Sequence, residues 1–146
     1  MKFLIINGPN INLLGKREKD HYGSKTLDQI INDTNKQVAK SVTIDWFQSN
    51  SESEIIGKIQ SCHNKSYNCL IINPAAFTHS SIAIYDALLT LNEVFITEVH
   101  LSNTNSREDF RKNKITTKAA DSVIEGFKEL LYIIVINSYL LTTKEN

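Results

Sequence analysis

Apolar residues along this chain come in short, dense runs separated by longer mixed stretches. Phe3-Leu4-Ile5-Ile6, Val42-Thr-Ile-Asp-Trp-Phe47, Cys69-Leu-Ile-Ile-Asn73 and Val94-Phe-Ile-Thr-Glu-Val99 are the clearest. Runs this short, rich in β-branched and aromatic residues, predict strands. The third is apolar on both faces, as central parallel strands are, and Pro74 ends it. A fifth strand is expected over Asp121–Gly126.

Between these runs the apolar spacing changes to that of helices. Thr26-Leu-Asp-Gln29 has the form of a capping box and is followed by Ile30, Ile31 and Val38, which predicts a helix over about 26–40. Ser51-Glu-Ser-Glu54 is a second such box. With Ile55, Ile56 and Ile59 it predicts a helix over 52–65. Ser80 or Ser81 can cap a third helix through Leu91, with Ala83, Ala87, Leu88 and Leu91 on one side. Ser106–Phe110 opens one helical turn, and Phe127–Leu141 reads as the last helix, although Tyr132-Ile-Ile-Val-Ile136 is β-branched enough for a strand. Helix-length crossovers between apolar strands require parallel pairing and right-handed connections. The expected class is therefore α/β, a flavodoxin-like three-layer sandwich with a five-stranded parallel sheet, formed by a single domain over residues 1–146.

One stretch fits neither pattern. From Asn7 to Ser24 the chain is mainly polar and carries glycines and a proline directly after the first strand. A loop of that length is expected to bind or cover something. It holds Arg17 and Tyr22, and a cation beside a phenol is one way to make the phenol a usable base.

Composition narrows the partners. Sixteen basic and sixteen acidic residues in 146 give zero formal net charge, so nothing general attracts nucleic acid or an anionic membrane. No apolar stretch approaches the length of a membrane span, and the start of the chain is too short for a signal peptide. A cytoplasmic protein is the default expectation. Cys62 and Cys69 read as reduced thiols near a core. The four histidines lack zinc-site spacing, and there is no glycine-rich nucleotide fingerprint or nucleophile elbow.

In this fold the polar residues that follow the strands gather at one rim. They are Asn7 and Asn10 after strand one, Asn73 and His79 after strand three, and His100 and Ser102 after strand four. Arg107 and Arg111 follow, placed at i and i+4 on one helical face if that turn is helical. Such a set suits a small, oxygen-rich, anionic molecule. Each residue also has an ordinary role open to it: a strand-end turn for Asn7 and Asn73, helix trim for His79, a solvated face for the arginines and Asp86, a buried structural histidine for His100. The residues alone place the chain as a small-molecule enzyme or a binding domain.

Longer motifs carry a resemblance. Ile6-Asn-Gly-Pro-Asn-Ile-Asn-Leu-Leu-Gly-Lys-Arg-Glu18, Tyr22-Gly-Ser24, Phe47-Gln-Ser-Asn50, Ile72-Asn-Pro-Ala-Ala-Phe-Thr-His79, Glu98-Val-His-Leu-Ser-Asn103 and Arg107-Glu-Asp-Phe-Arg111 occur in order. Together they closely resemble the type II 3-dehydroquinate dehydratases over residues 2 to about 113. The resemblance implies a shikimate-pathway lyase that converts 3-dehydroquinate to 3-dehydroshikimate through an enolate. It also implies a flavodoxin-like subunit in a homododecamer, a tetramer of trimers, with no metal or organic cofactor. Ala75 stands where many members have glycine, and the segment after Arg111 departs from the family's pattern.

Matched to the family, Tyr22 is the base and Arg17 the cation that keeps it ionised. One guanidinium about 4 Å from a phenolate is worth on the order of 4 kcal/mol at an effective dielectric near 20. His100 is the general acid, with Glu98 orienting it, and Asn10 helps hold the enolate oxygen. Asn73, His79, Asp86, Leu101, Ser102 and Arg111 bind substrate, Leu101 and Ser102 partly through backbone N–H groups, and Arg107 is the weaker arginine. The segment from about 15 to 24 closes as a lid. Two competing readings stand beside this one: a non-catalytic flavodoxin-like small-ligand binding domain, and the same reaction through a lysine imine, for which no lysine lies inside an apolar strand.

Overall fold

The computed structural model describes residues 1–16 and 18–143. Its centre is one five-stranded, wholly parallel sheet of β1 (Lys2–Asn7), β2 (Thr43–Gln48), β3 (Cys69–Asn73), β4 (Phe95–His100) and β5 (Ser122–Glu125), in the order β2-β1-β3-β4-β5. That is the flavodoxin-like order. Among the described residues five α-helices accompany it: α1 (Lys19–Tyr22), α2 (Leu27–Gln37), α3 (Glu52–Gln60), α4 (Ile82–Leu89) and α5 (Leu131–Thr142).

Alternation along each strand divides the core into two layers. Phe3, Ile5 and Ile71 face one way, into a cluster with Ile30 of α2 and with Leu131, Tyr132, Val135 and Ile136 of α5. Leu4, Ile6, Leu70 and Ile72 face the other way, against Ile55 and Ile59 of α3 and Ile84 and Leu88 of α4. The expected three layers are thus present.

Several local expectations shift. The Thr26 box is complete: Thr26 Oγ1 accepts from the Gln29 N–H and Gln29 Oε1 accepts from the Thr26 N–H. The second box is only half formed. Ser51 accepts from the Glu54 N–H, but the Glu54 carboxylate accepts from the Ser49 hydroxyl instead of reaching back. Helix α3 ends at Gln60 and tightens into a 3-10 turn at Ser61–Asn64, and α2 stops at Gln37. Ser81 is the cap of α4, and its buried row is Ile84, Ala87 and Leu88, continued by Leu91, with Ala83 exposed. The i, i+3, i+4, i+7 row buries the larger Ile84 in place of Ala83. In α5 the buried residues are 131, 132, 135 and 136, a helical spacing that strand alternation cannot produce, which resolves the Tyr132–Ile136 ambiguity.

The described residues between Asn7 and Ser24 include two helical turns. A 3-10 turn spans Ile11–Leu13, and α1 buries Tyr22 in the same cluster as Ile11 and Leu14. Gly8 is required where β1 leaves the sheet. Its N–H donates to the Asn73 carbonyl at 2.7 Å, and a Cβ there would lie 2.5 Å from the Pro74 oxygen. Gly23, at φ +82°, turns the chain out of α1 against Glu129, so α1 rests on the 3-10 turn at Lys128–Leu130.

Candidate active site

The carboxyl ends of β1, β3 and β4 open into one cleft, where doubly wound sheets bind ligands. Asn10, Tyr22, Asn73, His79, His100, Leu101, Ser102 and Arg111 all line it, as does Arg107. The sequence-predicted set therefore converges, with four exceptions. Asn7 is buried just behind the rim, where its Oδ1 accepts from the Tyr132 hydroxyl at 2.6 Å, a structural role. Glu98 stands behind His100 rather than on the surface of the cleft. Asp86 lies on the exposed face of α4, away from the cleft of its own chain. Arg17 lies outside the described residues.

Tyr22 is 9 % exposed, and its hydroxyl accepts from Arg107 Nη1 at 2.7 Å. The Arg107 guanidinium also lies 5.4 Å from the Tyr22 ring centroid and donates to Ser102 Oγ at 3.3 Å. Arg107, expected to be the weaker arginine, is thus a cation held directly on the phenol. It and Arg111 do not share a helical face. Arg107 is extended, between the 3-10 turns at Thr104–Ser106 and Asp109–Lys112. Both arginines nevertheless reach the cleft, and Arg111 Nε is held by Glu108 at 2.7 Å.

At the end of β4, His100 Nε2–H donates to Glu98 Oε1 at 2.8 Å. Residues two apart on a strand share a face, so the sequence Glu98-Val-His100 sets this pair by itself. With Nε2 committed, Nδ1 is the nitrogen left to exchange a proton at the cleft. His79 is tied differently: its Nδ1–H donates to the Asn113 carbonyl at 2.7 Å. Asn10 takes up a left-handed φ of +68° that asparagine tolerates, and its N–H donates to Asn50 Oδ1. Ala75, beside Asn73, sits at φ +52°, the conformation that glycine adopts without strain.

Other candidate nucleophiles and bases are disarmed by burial. Desolvation pushes the Cys62 thiol up to about 11 and that of Cys69 up to about 12. Desolvation, and then the bond to Asp45, raises the Tyr67 hydroxyl, and desolvation raises that of Tyr132.

The family model for dehydroquinase class II matches residues 1–140. This chain belongs to the class II dehydroquinase family. It is 49% identical over 140 residues to the 3-dehydroquinate dehydratase of Clostridium perfringens, covering 94% of each chain. It is 52% identical over 128 residues to that of Francisella philomiragia, covering 87% of this chain and 86% of the relative. The crystal structure of the type II dehydroquinase from Butyrivibrio crossotus superposes with a TM-score of 0.91 at 40% identity, covering 94% of this chain and 96% of that one. The match extends through the C-terminal third, where the short motifs give out.

This class II dehydroquinase braces its arginine loop with a cluster that the sequence did not announce. Glu125 pairs with His100 in the β4–β5 register. Its carboxylate accepts from Thr104 Oγ1 at 2.6 Å, Asn105 Nδ2 at 2.7 Å and Lys114 Nζ at 3.1 Å. Lys114 Nζ also donates to Thr104 Oγ1 at 2.8 Å. Thr104 lines the cleft between Ser102 and Arg107. Burial acts to raise the Glu125 carboxyl, but the Thr104 hydroxyl and then Lys114 outweigh it and hold it below the usual glutamate range. A depressed acid stabilises the fold above its unfolded value, here 4.5, and that contribution is lost as pH falls through the lower folded value. Acid titration of thermal stability is therefore expected to show a steeper loss below about pH 4.5 in the parent than in Glu125→Gln, which has no proton to take up.

Proposed function

We propose that this chain dehydrates 3-dehydroquinate to 3-dehydroshikimate in the shikimate pathway, by a trans elimination through an enolate. The carrying observation is the Tyr22 hydroxyl held by a guanidinium at the cleft that also presents the Glu98–His100 pair. The guanidinium holds the phenol oxygen at the cleft, and Tyr22 Oη, acting as the base, takes the proton next to the substrate carbonyl. The C–H electron pair becomes the enolate, whose oxygen is held by Asn10, directly or through a water. When the enolate re-forms the ketone, the C–O bond to the β-hydroxyl breaks, and the proton on His100 Nδ1 leaves with that oxygen as water. Glu98 keeps the Nε2 proton in place throughout.

Arg111, Ser102, Asn73, His79 and Leu101 then serve as substrate contacts, a guanidinium fork and amide groups suited to a carboxylate and hydroxyls. The lid reading is supported by α1, a short helix on a long excursion that carries the base, with Gly23 at its exit. Arg17 is kept as a second cation of that lid.

The subunit is proposed to act as a homododecamer, a tetramer of trimers, in the cytoplasm. Exposed Ile82 and Leu89 flank Asp86 on α4, and an apolar stripe of this kind favours association. In such an assembly Asp86 serves a neighbouring copy's cleft. Two unpaired buried thiols suit a reducing compartment. No helix among the described residues is long and apolar enough to cross a membrane.

An ultraviolet assay tests the reaction: adding 3-dehydroquinate is expected to raise the absorbance of a conjugated enone, and a flat trace rejects the reading. Borohydride with substrate is expected to leave the activity intact, since no lysine among the described residues lines the cleft and half-buried Lys114 is engaged by Glu125 and Thr104. Sedimentation at neutral pH reads the assembly, and a monomer there rejects the dodecamer.

A further inference from the structure

Glu98 is 0 % exposed, and the only ion pair it forms among the described residues is with His100. A buried carboxylate needs hydrogen-bond donors in place of water. Two threonines supply them. Thr78 Oγ1 donates to Glu98 Oε1 at 2.7 Å, and Thr116 Oγ1 donates to Glu98 Oε2 at 2.7 Å. The two hydroxyl oxygens lie 2.9 Å apart, and both residues are 0 % exposed. They come from separate elements. Thr78 is on the 3-10 turn at Ala75–His79 after β3, and Thr116 opens the turn at Thr116–Ala119 before β5. The Ile115 N–H also donates to the Thr78 carbonyl at 2.6 Å, so the two turns are joined beside the carboxylate.

We infer that Thr116 and Thr78 are positioning residues for proton donation, acting through Glu98. Building on the dehydratase reading, His100 can present Nδ1 to the departing hydroxyl only while its Nε2–H stays on Glu98 Oε1. That oxygen is fixed only if the carboxylate plane is fixed. His100 and Thr78 hold one end of the carboxylate, and Thr116 holds the other. Without Thr116 the carboxylate can rotate about its last bond, and the imidazole follows. The substrate contacts lie on other residues, so the loss falls on turnover and not on binding.

The experiment measures kcat and KM with 3-dehydroquinate for Thr116→Val and Thr116→Ser, in the parent and in Glu98→Ala, with thermal unfolding alongside. Thr116→Val is expected to lower kcat at least about tenfold with KM within about twofold, and Thr116→Ser to restore kcat to within about threefold. In Glu98→Ala, Thr116→Val is expected to cost nothing further, because the group it acts through is gone. A Thr116→Val kcat near the parent's, a loss matched by a rise in KM, or an equal loss in the Glu98→Ala background overturns the inference. If Thr116→Val does not fold, Thr78→Val tests the same brace from the other oxygen under the same criteria. An inactive parent refutes the dehydratase reading itself, whereas an active parent with an active Thr116→Val refutes only the brace.

Discussion

Tyr22→Phe is expected to lower kcat by about 1,000-fold, within the range of roughly 100- to 10,000-fold that a positioned acid or base supplies. The substitution deletes one oxygen. The ring stays in its cluster with Ile11, Leu14 and Leu131, so the lid helix and the fold persist. What disappears is the acceptor of the 2.7 Å bond from Arg107, the atom assigned to take the substrate proton. Binding energy from Arg111, Ser102 and Asn73 is untouched, so calorimetric titration is expected to find 3-dehydroquinate still bound. A variant keeping more than about a tenth of the parent kcat would move the base to another residue.

Arg107→Ala carries the second large effect, a loss of about 100-fold or more in kcat. A guanidinium touching the phenol oxygen is worth on the order of 4 kcal/mol at an effective dielectric near 20, part of which is offset by keeping the cation buried. Arg107→Lys is expected to fall between, since an ammonium keeps the charge but lacks the fork that also reaches Ser102. A kcat in Arg107→Ala near the parent's would leave activation of Tyr22 to another cation, and the same measurement on Arg17→Ala shows whether the two share the task.

The two arginines show where sequence reading reaches its limit. Arg17 lies five residues from Tyr22, and that proximity, with the motif, made it the expected cation. Arg107 lies 85 residues from Tyr22 and meets it only because the chain returns along β4 to the same rim. Its expected helical partnership with Arg111 did not form, because the chain at 107 is extended. Asp86 shows the converse: it stands on a well-predicted helix, yet the helix turns it away from the cleft of its own chain. Thr116, Lys114 and Glu125 carried no signal, being common residue types in a segment without a short motif. Their roles come from contacts 10 to 38 positions away.

Local pattern determined the strands, the helices and the parallel order, because hydrophobic periodicity and capping are contacts between near neighbours in the chain. It determined the Glu98–His100 pair for the same reason: two residues apart on a strand share a face. Tertiary structure alone decided that Arg107 touches Tyr22, that Asn7 is structural, and that Thr78, Thr116, Lys114 and Glu125 support the site. Those contacts depend on distances and directions between elements far apart in sequence, fixed only when the sheet orders its strands and the loops pack over their ends.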